Sequence, residues 1–353
     1  MSTPAVEVVT PRDVPLGGPR AMTVRRTLPQ RARSLLGAWC FLDHYGPDDV
    51  ADTGGMVVAP HPHTGLQTVS WLFTGEVEHR DSAGHHALVR PGELNLMTAG
   101  HGISHSEVST PETTVLHGAQ LWVALPEGAR DGAPGFAHHR PEPVRGDGWE
   151  LRVFLGSLAG STSPVPTATP LLGAELLLEP GARVDLAVDP TFELGVLVDT
   201  GDVGLRLGEG GDELRVPAHA LACAEPGATT LVLTAHDAPA RLLLLGGPPF
   251  GEPIVMWWNF VGRSHEEVVA AREAWQAQVL ADADDEVVGA HPPREAAGGL
   301  EVAAGGDPGD PADPAVVPDG RQVRPGRFGV VAGQPLPPIP APPLPRVRLR
   351  ERR

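Results

Sequence analysis

The chain has 353 residues and a formal net charge of −17, with 44 acidic residues against 27 basic ones, all arginine. That balance repels phosphate backbones and excludes nucleic acid as a direct partner. No run of about 18 apolar residues is present, so no membrane helix is expected, and "MSTPAVEVVTPRDV" has neither the basic nor the apolar region of a signal peptide. A cytoplasmic protein is expected.

The length allows two domains of ordinary size. Glycine (43) and proline (39) are abundant and aromatics are only 5%, which favours short strands and tight turns over long helices. From Val8 to His139 the text reads as strands broken by turns. "TVSWLF" alternates, with Val69, Trp71 and Phe73 on one face, and "GEVEHRDSAGHHALV" reads as strand, turn, strand. A second block of the same texture runs from Trp149 to Gly247, through "AELLLEPGARVDLAV" and "FELGVLVDTGDVGLRL". The pattern predicts an all-β protein built as two sandwiches or barrels, a duplication at the level of fold. Cys40 and Cys223 lie in apolar text far apart and are expected as buried free thiols.

One helix is expected over about 264–281. Ser264 and Glu267 form a capping box, and Val268, Ala271, Trp275 and Val279 recur at helical spacing. Residues 283–325 are rich in Gly, Pro, Ala and Asp without an apolar period, and read as a disordered insertion. The proline-rich segment 326–353 reads as an extended arm on the domain surface. The expected division is therefore 1–140, 141–282, 283–325 and 326–353.

The chemistry concentrates in "HPHTGLQTVSWLFTG" and "GISHSEVS". Residues i and i+2 on a strand share a face. His61 and His63 therefore aim into one space, and so do His105 and Glu107. Two such pairs facing each other inside a small barrel offer three imidazoles and one carboxylate. That set suits a divalent first-row metal (Fe, Ni, Mn, Co, Cu or Zn); it is too rich in nitrogen for Mg or Ca and lacks the thiolates of structural zinc. Gly65, Gly75, Gly92, Gly100 and Gly102 allow the sharp corners of a tightly wound barrel. His85-His86 and His138-His139 are adjacent, point apart on strands, and read as turn or surface residues. His219 and His236 stand alone, so the second block offers no paired site and one metal per chain is expected.

"HPHTGLQTVSWLFTGEVEHRDSAG…RPGELNLMTAGHGISHSE" resembles the signature of the pirin family, a branch of the cupin superfamily. "HGAQLWVALP" and "GEPIVMWWNFVGRSHEEV" are also similar to pirin segments. The resemblance implies two cupin-type β-barrels (double-stranded β-helices) packed face to face, with one C-terminal helix. It implies one metal, usually iron, in the N-terminal barrel, with ligands at His61, His63, His105 and Glu107. The activity it implies is a quercetin 2,3-dioxygenase, with a small aromatic substrate and O2; in such a reaction Glu107, as a weak ligand, is the expected catalytic proton acceptor. The family's other implied role is a redox-responsive metal-binding protein that regulates a partner enzyme or transcription factor. A monomer is expected. The chain departs from the family where Gln67 replaces a common Glu, where Thr64 replaces Arg, and where His101 stands in place of Arg, placed to hydrogen-bond substrate. Met97, Trp71, Phe73 and Leu121 are the residues expected to line the substrate pocket.

Overall fold

The structure is a computed structural model that describes residues 4–16, 22–208, 210–279 and 326–352. The segment 283–325, expected as a disordered insertion, lies outside the described residues. Among the described residues no helix is long and apolar enough to cross a membrane.

The strands form two barrels, each a seven-stranded sheet over a four-stranded one, with neighbouring strands antiparallel. In the first barrel the large sheet runs Gly135–His139, Leu94–Thr98, Leu66–Thr74, Val115–Ala124, Trp39–Asp49, Thr23–Leu28, Arg12–Pro15. Its small sheet runs Val57–His63, Ile103–Ser109, Val77–Asp81, His86–Val89. The second barrel has the same plan, with Glu193–Thr200 and Ala240–Gly247 at the middle of its large sheet. The chain passes from one barrel to the other between His139 and Val144. The first strand, Val6–Val9, crosses over and pairs with Leu221–Ala224 of the second barrel.

The two large sheets meet face to face. Trp39, Val69, Trp71 and Leu121 pack against Phe154, Leu197, Leu243 and Leu245. The rings of Trp71 and Phe154 stack with centroids 4.5 Å apart, and Trp39 donates its indole N–H to the Gly246 carbonyl at 3.2 Å. A sheet buried on both faces explains why these strands are so apolar. Cys40 and Cys223 are both free and buried.

The helix spans His265–Val279. The Glu267 amide donates to Ser264 Oγ at 3.2 Å, and the Glu267 carboxylate accepts the Arg263 amide at 2.9 Å, one residue earlier than a strict capping box. Val268, Ala271 and Trp275 are buried against Val255, Phe260 and Phe328. The proline-rich segment is tied to the rest of the protein by hydrogen bonds to its backbone. Ile339 donates to the Pro60 carbonyl at 2.8 Å, and Trp275 donates its indole N–H to the Ile339 carbonyl at 2.8 Å.

Candidate metal centre

The strand Val57–His63 ends on the two histidines, and its partner Ile103–Ser109 brings up the other pair in antiparallel register, His105 opposite His61. Gly65 makes the corner that turns the chain into the next strand. It sits at φ +68°, and a Cβ there would lie 2.3 Å from the Val261 carbonyl oxygen. Gly75, Gly92 and Gly100 also adopt positive φ; Gly102 does not.

His61, His63 and His105 converge, with donor atoms all within 4.8 Å of one another. His63 Nε2 and His105 Nε2 are 3.1 Å apart. Burial lowers the pKa of all three, His61 to about 4 and the other two well below the usual value. Neutral imidazoles with converging lone pairs are what a transition metal requires. His61 fixes its tautomer by donating from Nδ1 to the Ala59 carbonyl at 2.9 Å, which leaves Nε2 free to ligate.

A bulge between His105 and Glu107 shifts the register, so Glu107 stands opposite Val58. Its carboxylate belongs to a second set within 4.8 Å, with His105 and His79. Burial raises its pKa. Ser70 Oγ donates to Glu107 Oε1 at 3.4 Å. All four predicted residues thus come to one end of the barrel interior: the three histidines as one set, the carboxylate joined to it through His105.

His79 is the member that sequence reasoning missed. Its Nδ1 faces His105 Nδ1 at 3.3 Å and its Nε2 faces Asp81 Oδ2 at 3.3 Å. Asp81 in turn accepts the Ala83 and His85 amides at 2.9 and 3.0 Å. The chain Asp81–His79–His105 is the carboxylate–histidine support that orients metal ligands elsewhere. The signal was present in "EHRD": His79 and Asp81 are i and i+2 on a strand, so they share a face.

Two of the departures from the family pattern, Gln67 and His101, lie away from this centre. Gln67 shares the face of Val69 and Trp71, turned toward the second barrel, and donates to Thr98 Oγ1 at 2.9 Å. His101 is exposed and faces the Gly132 carbonyl at 3.0 Å. The expected pocket lining also needs correction. Trp71, Phe73 and Leu121 belong to the core between the barrels, because the face of their strands that points inward carries Thr68, Ser70 and Gln120. Met97 packs in another cluster, with Trp122 and Ile103. The cavity over the histidines, about 740 Å³, is walled instead by Phe41, Tyr45, Trp122, Met256, Trp257 and Trp258. The rings of Phe41 and Trp122 stack on each other 13° from parallel with centroids 4.0 Å apart, and Arg26 lies over the Phe41 ring at 4.5 Å.

A further His/Asp cluster joins the barrels. His44 and His117 place Nε2 at 2.7 and 2.6 Å from the same oxygen of Asp199. Burial disfavours the Asp199 carboxylate, but hydrogen bonds from His117 and His44 outweigh it and hold the pKa far below the usual range. Arg25 donates to His44 Nδ1 at 3.3 Å, and Arg241 lies 3.5 Å from the other Asp199 oxygen. Arg25, through His44, and Arg241, beside the carboxylate, supply the positive charge a metal would bring, so the cluster reads as a polar joint between the barrels.

The family model for pirin matches residues 21–123, and that for the pirin C-terminal cupin domain matches 173–281. A Pseudomonas aeruginosa protein provisionally named a quercetin 2,3-dioxygenase is 47% identical over 269 residues, covering 76% of this chain and 82% of the relative. Human pirin is 32% identical over 216 residues, covering 60% of this chain and 73% of the relative. The crystal structure of quercetin 2,3-dioxygenase from Acinetobacter baumannii superposes with a TM-score of 0.72 at 37% identity, covering 82% of this chain and 95% of that one. With both domain models matched and two cupin barrels built on one plan, the chain belongs to the pirin family of the cupin superfamily.

Proposed function

We propose that this chain is a metal-dependent dioxygenase of the pirin type, acting on a flavonol such as quercetin. The observation that carries the reading is the set of three neutral imidazoles and a buried carboxylate at the base of an aromatic-walled cavity of about 740 Å³. That volume lies in the range of small-molecule sites. We assign His61, His63, His105 and Glu107 as the ligands of one Fe²⁺ per chain. Such a metal supplies Lewis acidity toward the substrate hydroxyl and a meeting point for O2, which no side chain here provides.

The protein's own contribution is proton handling and orientation. Glu107, made more basic by burial, takes the proton of the flavonol 3-hydroxyl. The Ser70 hydroxyl holds that carboxylate in place. Phe41, Tyr45 and Trp122 give the cavity an aromatic lining for an apolar ring system. Gln120 and Asn259 present polar groups in the same cavity. Cleavage of the ring by dioxygen then releases carbon monoxide.

The cavity opens to solvent, and exposed large hydrophobic residues among the described ones are the scattered Val8, Val57 and Val347. A substrate pocket without an apolar docking patch supports an enzyme over a regulatory binding protein. The test is anaerobic purification, metal analysis, and quercetin turnover followed by flavonol absorbance and O2 consumption. Fully loaded protein that consumes neither quercetin nor O2 overturns the reading.

A further inference from the structure

A second cavity, of about 610 Å³, adjoins the first and shares Arg12, Pro29, Met256 and Arg352 with it. Its rim carries four guanidiniums, those of Arg12, Arg31, Arg350 and Arg352. No side-chain ion pair of the four is found among the described residues, and the rim also carries the Glu351 carboxylate, which is itself engaged. In a chain of net charge −17 this is a local reversal of sign.

The arrangement is built by the C-terminal arm. Arg352 and Ile254 exchange backbone hydrogen bonds of 3.0 and 2.7 Å. This pins the arm beside Val255–Trp257, a strand whose Met256 and Trp257 wall the metal cavity. Arg352 is half-buried, and burial together with neighbouring Arg12 lowers its pKa. Arg12, Arg31 and Arg350 are exposed, and like charges gathered on one rim are unfavourable until an anion joins them. Arginine forks are suited to that role, because they present paired N–H donors to carboxylate, sulfate or phosphate oxygens. The cation deeper in the cavity is already neutralised: Arg26 forms a two-point pair with Asp43, at 2.7 and 2.6 Å.

We propose that this arginine rim is an anion subsite, selecting aromatic substrates that carry an oxyanion substituent at the end remote from the metal. It deepens the function proposed above and rests on that reading for the word substrate. The subsite itself is a matter of binding and can be measured apart from turnover.

The experiment compares quercetin with quercetin sulfonate on the metal-loaded full chain. Binding is read by quenching of the tryptophans that wall the cavity, and turnover by absorbance. The sulfonate should bind about tenfold more tightly or better, the scale of a charge-assisted hydrogen bond. Arg12→Gln combined with Arg352→Gln should bring the ratio of the two affinities toward one. Inorganic phosphate added to the unaltered protein should weaken sulfonate binding and leave quercetin binding in place, a measurement that needs no variant to fold. Equal affinities in the unaltered protein overturn the proposal, as does a ratio that survives the double substitution or phosphate. A sulfonate preference without turnover sinks the dioxygenase reading and keeps the subsite; turnover without preference does the reverse.

Discussion

His63 and His105 stand 42 positions apart in sequence, yet their Nε2 atoms meet at 3.1 Å. Both rings are fully out of water and held neutral. Removing either imidazole by His63→Ala or His105→Ala should abolish stoichiometric metal retention through gel filtration. Asp81→Asn should act more gently. It weakens the support of His79, and through it of His105, so metal affinity should fall roughly 10–100-fold in a chelator competition. Full affinity in the Asp81 variant would show that the Asp81–His79–His105 chain does not orient the ligand.

The metal-free protein should lose stability as pH falls. Each buried histidine has a folded pKa below its unfolded value of about 6.5. Between those two values the unfolded chain binds the proton and the folded chain does not, so unfolding is favoured. For His61, lowered to about 4, the penalty grows from pH 6.5 downward and is complete near pH 4, at roughly 3 kcal/mol. Glu107 opposes this, because its raised pKa favours the folded state as it protonates. Three imidazoles against one carboxyl set the sign. Denaturant midpoints of chelated protein at pH 7.5 and 5.0 test it, and an equal or higher midpoint at pH 5.0 contradicts it.

The two barrels and the four candidate ligands were legible because they depend on local patterns: turns at regular spacing, and i, i+2 pairs on strands. The pocket lining was not. The strand Leu66–Thr74 is buried on both faces, so alternation separates the faces without saying which one points inward. The apolar face, Val69, Trp71 and Phe73, went to the second barrel, and the polar face with Ser70 went to the metal centre. The joint of His44, His117 and Asp199 was invisible for another reason. It joins two barrels across 155 and 82 positions, and no local spacing encodes that distance. The arginine rim is similar, since it forms only when the last residues return to Arg12.

Gln67→Glu tests the placement of that side chain away from the metal centre. Were position 67 part of the centre, a new carboxylate would strengthen metal binding. It lies instead on the buried face between the barrels, with its amide on Thr98. Metal affinity should stay unchanged while stability falls by about 1–3 kcal/mol for an unpaired buried polar group. Tighter metal binding in a chelator competition would return Gln67 to the site.

Asp199→Ala should be among the most destabilising single changes in the protein. It strips two buried imidazoles and Arg241 of one shared partner, at a cost of about 3–5 kcal/mol. The metal content of the folded fraction should stay at one equivalent per chain. A drop from two equivalents to one would instead identify His44, His117 and Asp199 as a second metal site.

Glu107→Gln separates holding the metal from moving the proton. In the proposed centre Glu107 would be the single anionic donor beside three neutral imidazoles, so Fe²⁺ held there would keep a net charge of about +1. Gln keeps an oxygen of similar reach and raises that charge to about +2. Affinity should fall by at least the roughly 10–100-fold seen when outer support of a ligand is lost. If Glu107 also accepts the substrate proton, the loss goes further, because an amide oxygen is a far weaker base than a carboxylate made more basic by burial. Turnover of quercetin per bound iron, measured at saturating Fe²⁺, should then fall by roughly 10²–10⁴-fold, the usual contribution of a positioned base. Unchanged turnover per iron would leave Glu107 as a ligand alone. Unchanged iron affinity as well would remove it from the centre, and the bulge that turns it away from His61 would then be the reason.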